Sequence, residues 1–317
     1  MTAAREIAVF SGSAHPSLSD AICARLGVPL LPSAAQRFSN DCLEVQLQAS
    51  CRERDVFLIQ PLVPPVQDNL MELLLMLDAA RGASASRLTA VIPYYAYARS
   101  DKKDKPRISI GGRLVADLLV TAGAGRVLTV ALHSPQVHGF FSVPVDNLSA
   151  LGVLAQHFST YDLARTVVVT PDLGNAESAT VFARLLGVPV AAGSKRRLAD
   201  DHVVIETIVG EVDGCDVIVL DDEIANGGTV IEIVRVLRAR GVKRIALACT
   251  HGLFTGPAME RLSGAREIQE IVTTDTVPIT SEKSLPDMRV LSVAPLLAEA
   301  IRRIHDGESV SSLFVAD

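Results

Sequence analysis

Residues 217–231 read V-I-V-L-D-D-E-I-A-N-G-G-T-V-I. Val217, Ile218, Val219 and Leu220 form a short, largely β-branched apolar run, the pattern of a buried strand. Asp221 and Asp222 follow, then Asn226-Gly227-Gly228-Thr229, and beyond them Val230, Ile233, Val234 and Leu237 recur at helical spacing. Strand, tight polar loop and helix make half of a βαβ unit. Glycines let a backbone approach a ligand closely, and the first amides of a helix form an anion site. The two carboxylates cannot take phosphate, but they accept hydrogen bonds from hydroxyls or hold a cation. Phosphate beside vicinal hydroxyls describes a sugar phosphate. The alternative is a loop whose Asp and Asn only turn the chain and cap the helix.

Outward from this stretch the same alternation recurs. Strands are predicted at 7–10, 56–60, 88–92 and 127–132, with helices near 18–26, along Leu70, Leu73, Leu74 and Leu77, and at 114–119. A second series has strands at 166–170, 188–191, 217–220 and 245–249 and helices at 179–186 and 230–240. The tail, 295–314, carries Leu296, Leu297, Ala300, Ile301 and Ile304 along one helical side. This order predicts an α/β fold of two similar domains, each a mainly parallel sheet flanked by helices. A boundary near 146–152 divides the chain into domains 1–148 and 149–317, the tail able to pack back on the first. At 317 residues the chain is long enough for two cores.

Apolar residues make up 49% and charged ones 21%, the balance of a soluble globular protein. A net charge of −6 supplies no basic field for nucleic acid, so small-molecule partners are expected. Five cysteines without a C-x-x-C pair predict reduced thiols in a cytoplasmic setting, with neither a disulfide frame nor a zinc site. The N-terminal stretch lacks a signal-peptide core. The apolar-rich run 70–80 holds Glu72 and Asp78 and is too short to span a bilayer, so no membrane partner is expected.

Four further groups follow predicted strand ends, where α/β folds place ligands. Residues 99–107, R-S-D-K-K-D-K-P-R, carry seven charges in nine positions, too many for a packed face. Most such runs are solvated turns, yet at a strand end a mobile cationic loop could close over a polyphosphate. His133 lies in Leu132-His133-Ser134-Pro135. A lone histidine is more often a satisfied polar residue, but neutral imidazole is a competent metal ligand. Asp172 lies in T-P-D-L-G at 170–174, and Lys195-Arg196-Arg197 bring positive charge after 188–191.

The loop 221–229 resembles the phosphoribosyl pyrophosphate loop shared by type I phosphoribosyltransferases and ribose-phosphate pyrophosphokinases. Over essentially its full length the chain resembles the second of these families. The matching stretches include Phe10-Ser11-Gly12-Ser13, Arg37-Phe38-Ser39-Asn40, Asp68-Asn69-Leu70, Tyr97-Ala98-Arg99, Asp101-Lys102-Lys103-Asp104-Lys105, His138-Gly139-Phe140-Phe141 and Thr250-His251-Gly252. The resemblance implies a type I phosphoribosyltransferase-like fold and a homo-oligomer, dimer to hexamer. It implies Mg2+-dependent transfer of the diphosphoryl group of ATP to the 1-hydroxyl of ribose 5-phosphate, giving phosphoribosyl pyrophosphate and AMP. By the same resemblance Phe38 stacks on adenine, and Asn40, Arg99, Lys102, Lys103 and Asp104 lie on the nucleotide side. His133 and Asp172 would serve the magnesium–triphosphate, and Lys195 and Arg197 would neutralise charge in the transition state. Asp221 and Asp222 would take the ribose hydroxyls, and Asn226, Gly227, Gly228 and Thr229 the 5-phosphate.

The chain departs from the family pattern at Cys42, Ser100, Ala131, His138, Ser142, Asn175, Glu177-Ser178 and Ala225; at Cys42, Ala131, Ser142 and Ala225 the family has acids. Two alternatives therefore stand beside the first reading. One is the same or a related transfer on another sugar phosphate or from another donor. The other is a non-catalytic regulatory paralogue.

Overall fold

The computed structural model describes residues 6–199 and 202–314, apart from the side chains of 195–199, 202–204 and 206. The elements begin with β1 (Ile7–Ser11), α1 (Pro16–Leu26), β2 (Leu30–Leu31), β3 (Ser33–Arg37), β4 (Leu43–Leu47), β5 (Asp55–Ile59) and α2 (Val66–Gly82). β6 (Arg87–Ile92), α3 (Gly111–Ala122), β7 (Arg126–Val130), β8 (Val145–Leu148), α4 (Leu151–Phe158), β9 (Thr166–Thr170) and α5 (Ala176–Leu186) follow. The rest are β10 (Val190–Ala199), β11 (His202–Val209), β12 (Asp216–Ile224), α6 (Gly228–Ala239), β13 (Ile245–Gly252), α7 (Ala258–Gly264), β14 (Ile268–Thr274), β15 (Met288–Leu291) and α8 (Ala294–Asp306). The chain divides into two compact units, one formed by the residues up to Ser149 with Thr276–Pro278 and Val293–Phe314, the other by Ala150–Asp275 and Ile279–Ser292.

In the first unit six parallel strands run in the order β2-β1-β5-β6-β7-β8. Parallel strands buried on both faces need continuous apolar runs, and β5 is buried at every residue. Leu70, Leu73 and Leu77 of α2 and Val115 and Leu119 of α3 join Phe10, Val56 and Leu58 in one core. α8 packs on α1, burying Leu297, Ala300 and Ile301. In the second unit the order is β11-β10-β9-β12-β13-β14-β15, antiparallel only at β10–β11. Alternation divides its core in two: Val167, Val169, Val217 and Val219 meet Val230, Ile233 and Leu237 of α6. Val168, Ile218 and Leu220 meet Leu154 and Phe158 of α4 and Phe182 of α5.

Several predicted strand ends shift, three of them at candidate site residues or family departures. β10 continues to Ala199 because β11 pairs antiparallel along it, so Lys195, Arg196 and Arg197 lie within a strand rather than after one. β12 continues to Ile224 beside β13, placing Asp221 and Asp222 inside the strand. β7 stops at Val130, and Ala131 turns the chain with a left-handed φ of 45°.

One ion cluster fastens α8 within the first unit. Asp55 of β5 is fully buried and pairs with Arg87 of β6, while its Oδ2 lies 2.9 Å from His305 Nδ1. Arg87 also donates to the carbonyls of Ile304 (3.2 Å) and His305 (2.7 Å), a cation closing the C-terminus of a helix. Replacing Asp55 by Ala would leave Arg87 facing the core unpaired. The expected loss is about 3 kcal/mol, the low end for a buried pair because Arg87 is partly exposed. His305→Ala, which keeps the Asp55–Arg87 pair, should lower the urea midpoint by less than half as much.

Candidate active site

Within the second unit, β9 lies between β10 and β12, so the residues leaving these three strands share one sheet edge. Asp172 follows β9, and its side chain accepts from the Asn175 amide at 3.2 Å, capping the short turn 173–175. A Cβ on Gly193 of β10 would sit 2.6 Å from the Pro171 carbonyl, so only glycine lets β10 pass this close. Lys195 and Arg197 lie further along that strand by their backbone; their side chains fall outside the described residues.

The loop after β12 is built to hold a helix end open. Gly227 stands at φ 75°, a conformation costly for a residue with a Cβ. Asn226 Oδ1 accepts from the Gly228 amide at 3.0 Å, and the Asn226 carbonyl accepts from Arg261 Nη1 at 2.9 Å. The amides of Thr229 and Val230, at the first turn of α6, have no intrahelical acceptor by helix geometry. Asp221 Oδ1 accepts from the Asp222 amide at 3.0 Å, and both acids are half-buried. Asn226 thus turns the chain one residue before the N-cap Gly227, which makes no side-chain cap bond. Arg261 was not legible as a support because it lies on α7, 35 residues from the carbonyl it holds.

In the first unit the nucleotide-side residues fall on two features. Phe38, 47% exposed, lies at the tip of the β3–β4 hairpin. Asn40 Oδ1 accepts from the Cys42 amide at 3.2 Å, and Arg37 bridges Asp41 and Asp68 at 2.8 and 2.9 Å. These bonds fix the tip by side chains rather than by packing. Arg99, Lys102, Lys103 and Asp104 are all exposed in the run after β6. Ser100 takes a structural part: its Oγ accepts from the Gly111 amide (2.8 Å) and its carbonyl from that of Gly112 (2.9 Å), closing the N-terminus of α3. His133 is exposed between buried Leu132 and buried Ser134. His138 Nδ1 lies 2.7 Å from the Pro135 carbonyl.

Among the described residues no three His, Cys, Asp or Glu side chains are gathered to hold a metal ion. A carboxylate such as Asp172 is the donor type that magnesium takes, with waters and substrate phosphates filling the remaining positions. Also among the described residues, no helix is long and apolar enough to cross a membrane.

Beside Asp221 in the sheet stands Cys249, fully buried, its Sγ 3.4 Å from Thr273 Oγ1. Burial, with Asp221 and Asp222 nearby, pushes its thiol up to about 12. Only about one part in ten thousand would be thiolate at pH 8. Iodoacetamide at that pH should therefore alkylate exposed Cys42 and spare Cys249, as read by peptide mass, until the protein is unfolded.

Residues 7–123 match the model of the N-terminal domain of ribose phosphate pyrophosphokinase, and residues 204–315 that of the phosphoribosyl synthetase-associated domain. A Streptomyces coelicolor relative is 65% identical over 312 residues, covering 98% of both chains. The ribose-phosphate pyrophosphokinase of Deinococcus radiodurans is 51% identical over 311 residues, covering 96% of this chain and 97% of its own. The crystal structure of phosphoribosylpyrophosphate synthetase from Mycobacterium smegmatis superposes with a TM-score of 0.88 at 40% identity, over 96% of this chain and all of that one. Sequence, domain content and fold agree over the same length: the chain is a transferase of the ribose-phosphate pyrophosphokinase family.

Proposed function

We propose that the protein transfers the β,γ-diphosphoryl group of ATP to the 1-hydroxyl of ribose 5-phosphate, giving phosphoribosyl pyrophosphate and AMP. The observation that carries this reading is the sheet edge of the second unit. There an open helix N-terminus, two half-buried carboxylates, Asp172 and the basic strand β10 leave neighbouring strands. The amides and hydroxyl of Thr229, with Gly227 and Gly228, would hold the 5-phosphate, and Asp221 and Asp222 would orient the ribose hydroxyls. Phe38 would cover adenine with Asn40 beside it, and Arg99, Lys102, Lys103 and Asp104 would line the nucleotide. Lys195 and Arg197 would offset charge on the transferring group; such transfers depend on positioning and electrostatics rather than covalent help. His133 in the first unit and Asp172 in the second would each serve the magnesium–triphosphate, magnesium when bound neutralising its charge. The enzyme is further proposed to act as a homo-oligomer in the cytoplasm.

The expected outcome with ATP and a panel of pentose phosphates is AMP release with ribose 5-phosphate alone, and EDTA should weaken ATP binding. Release with a different sugar only would replace the substrate, and no release with any sugar would leave the regulatory reading.

Ala225 marks the carboxylate that this sugar loop lacks. A charge-assisted hydrogen bond is worth about 1.5–3 kcal/mol, so Ala225→Asp should raise kcat/KM for ribose 5-phosphate about ten- to hundredfold. Loss of activity in that variant would instead show a pocket shaped for the smaller side chain.

A further inference from the structure

We infer that Ser134 is a positioning residue that ties the root of the cationic loop to the segment carrying His133, through its hydrogen bond to Asp101. The inference rests on the nucleotide-side reading of that loop. Ser134 is 7% exposed, and its Oγ lies 2.6 Å from Asp101 Oδ2. Gln136 Oε1 lies 2.7 Å from the same hydroxyl, which has one proton to give. A carboxylate is the stronger acceptor, so the proton goes to Asp101.

The segment behind Ser134 is anchored at two points. The Ala131 amide donates to the Leu148 carbonyl at 2.8 Å, and the Leu132 amide to Asn147 Oδ1 at 3.1 Å. Leu132 is buried, so the chain alternates inward, outward, inward and presents His133. On the other side, Ser100 is held at the N-terminus of α3 by its two bonds to Gly111 and Gly112. Between these anchors, positions 102–107 are all exposed. Among the described residues, the bond to Ser134 is the one side-chain hydrogen bond made by 101–107. It therefore fixes where the loop starts relative to His133, with Arg99 two positions before and Lys102 one position after. Ser134 and Asp101 touch no substrate in this scheme; they act through these neighbours.

Trypsin cleavage of the whole, nucleotide-free protein at Lys102 and Lys103, followed by peptide mass, reads the opening of the loop directly (the bond after Lys105 precedes Pro106 and is not a trypsin site). Loss of a charge-assisted bond should speed cleavage about tenfold or more in Ser134→Ala and in Asp101→Ala. The double variant should cut no faster than either single one. Additive acceleration, or none, would overturn the inference. Should Ser134→Ala fail to fold, Asp101→Ala alone decides by the same rate. In the AMP-release assay both variants should raise KM for ATP about tenfold and leave KM for ribose 5-phosphate and Tm unchanged, whereas an equal rise in both KM values argues for a merely structural role. If the native enzyme releases no AMP, the functional reading falls, and the cleavage rates still decide the tie.

Discussion

Because β9 and β12 are covered on both faces, their side chains have nowhere polar to point until the strands end. Thr166–Thr170 is buried at every position, and β12 is buried from Val217 to Leu220, between Asp216 at its start and Asp221. A buried polar group without a partner costs free energy, so such strands must be apolar along their length and can change character only at the edge. The candidate site residues of the second unit therefore fall toward the C-terminal ends of β9 and β12 and along the part of β10 that pairs with β11. The order β10-β9-β12 makes those exits neighbours although they are spread along the sequence.

At that edge, the residues proposed to bind substrate also turn the chain. Asp172 caps its own turn through Asn175, and Asn226 secures the Gly228 amide. Preorganisation of this kind holds loops near one geometry before a ligand arrives, which reduces the entropy lost on binding. The departures from the family pattern fit the same picture in part. Ser100 takes up capping of α3, and His138 closes a local turn with Pro135. Nothing in the structure explains Ser142.

The first unit supports its loops by buried polar contacts. Gln60, fully buried, accepts from the Ala14 amide at 3.0 Å and donates to Glu72 Oε2 at 2.8 Å. Glu72 accepts from the Ser13 amide at 2.9 Å. The turn after β1 is thus held by side chains from β5's end and from α2, a fully partnered network that favours a single arrangement. The cluster of Asp55, Arg87 and His305 holds α8, whose apolar side covers α1, although Asp55 Oδ1 and Arg87 Nε are left without a hydrogen-bond partner.

The sequence alone determined what depends on near neighbours. Apolar periodicity located most of the strands and helices, Gly27 at φ 70° ends α1 where the pattern stops, and the order of motifs identified the family and its parallel sheets. Candidate residues were legible where they followed a strand end, since that position has a local signature. Strand pairing was not legible. β10 gains its length from β11, β3 (S-A-A-Q-R) carries no alternation to announce its hairpin with β4, and Asp221 and Asp222 are strand residues because β13 continues beside them. Nor were the supports: Ser134 meets Asp101 across 33 positions and Arg87 meets the carbonyl of His305 across 218. Such contacts are set by which strands become neighbours, and that choice is made by burial of the whole sheet rather than by any one stretch of chain.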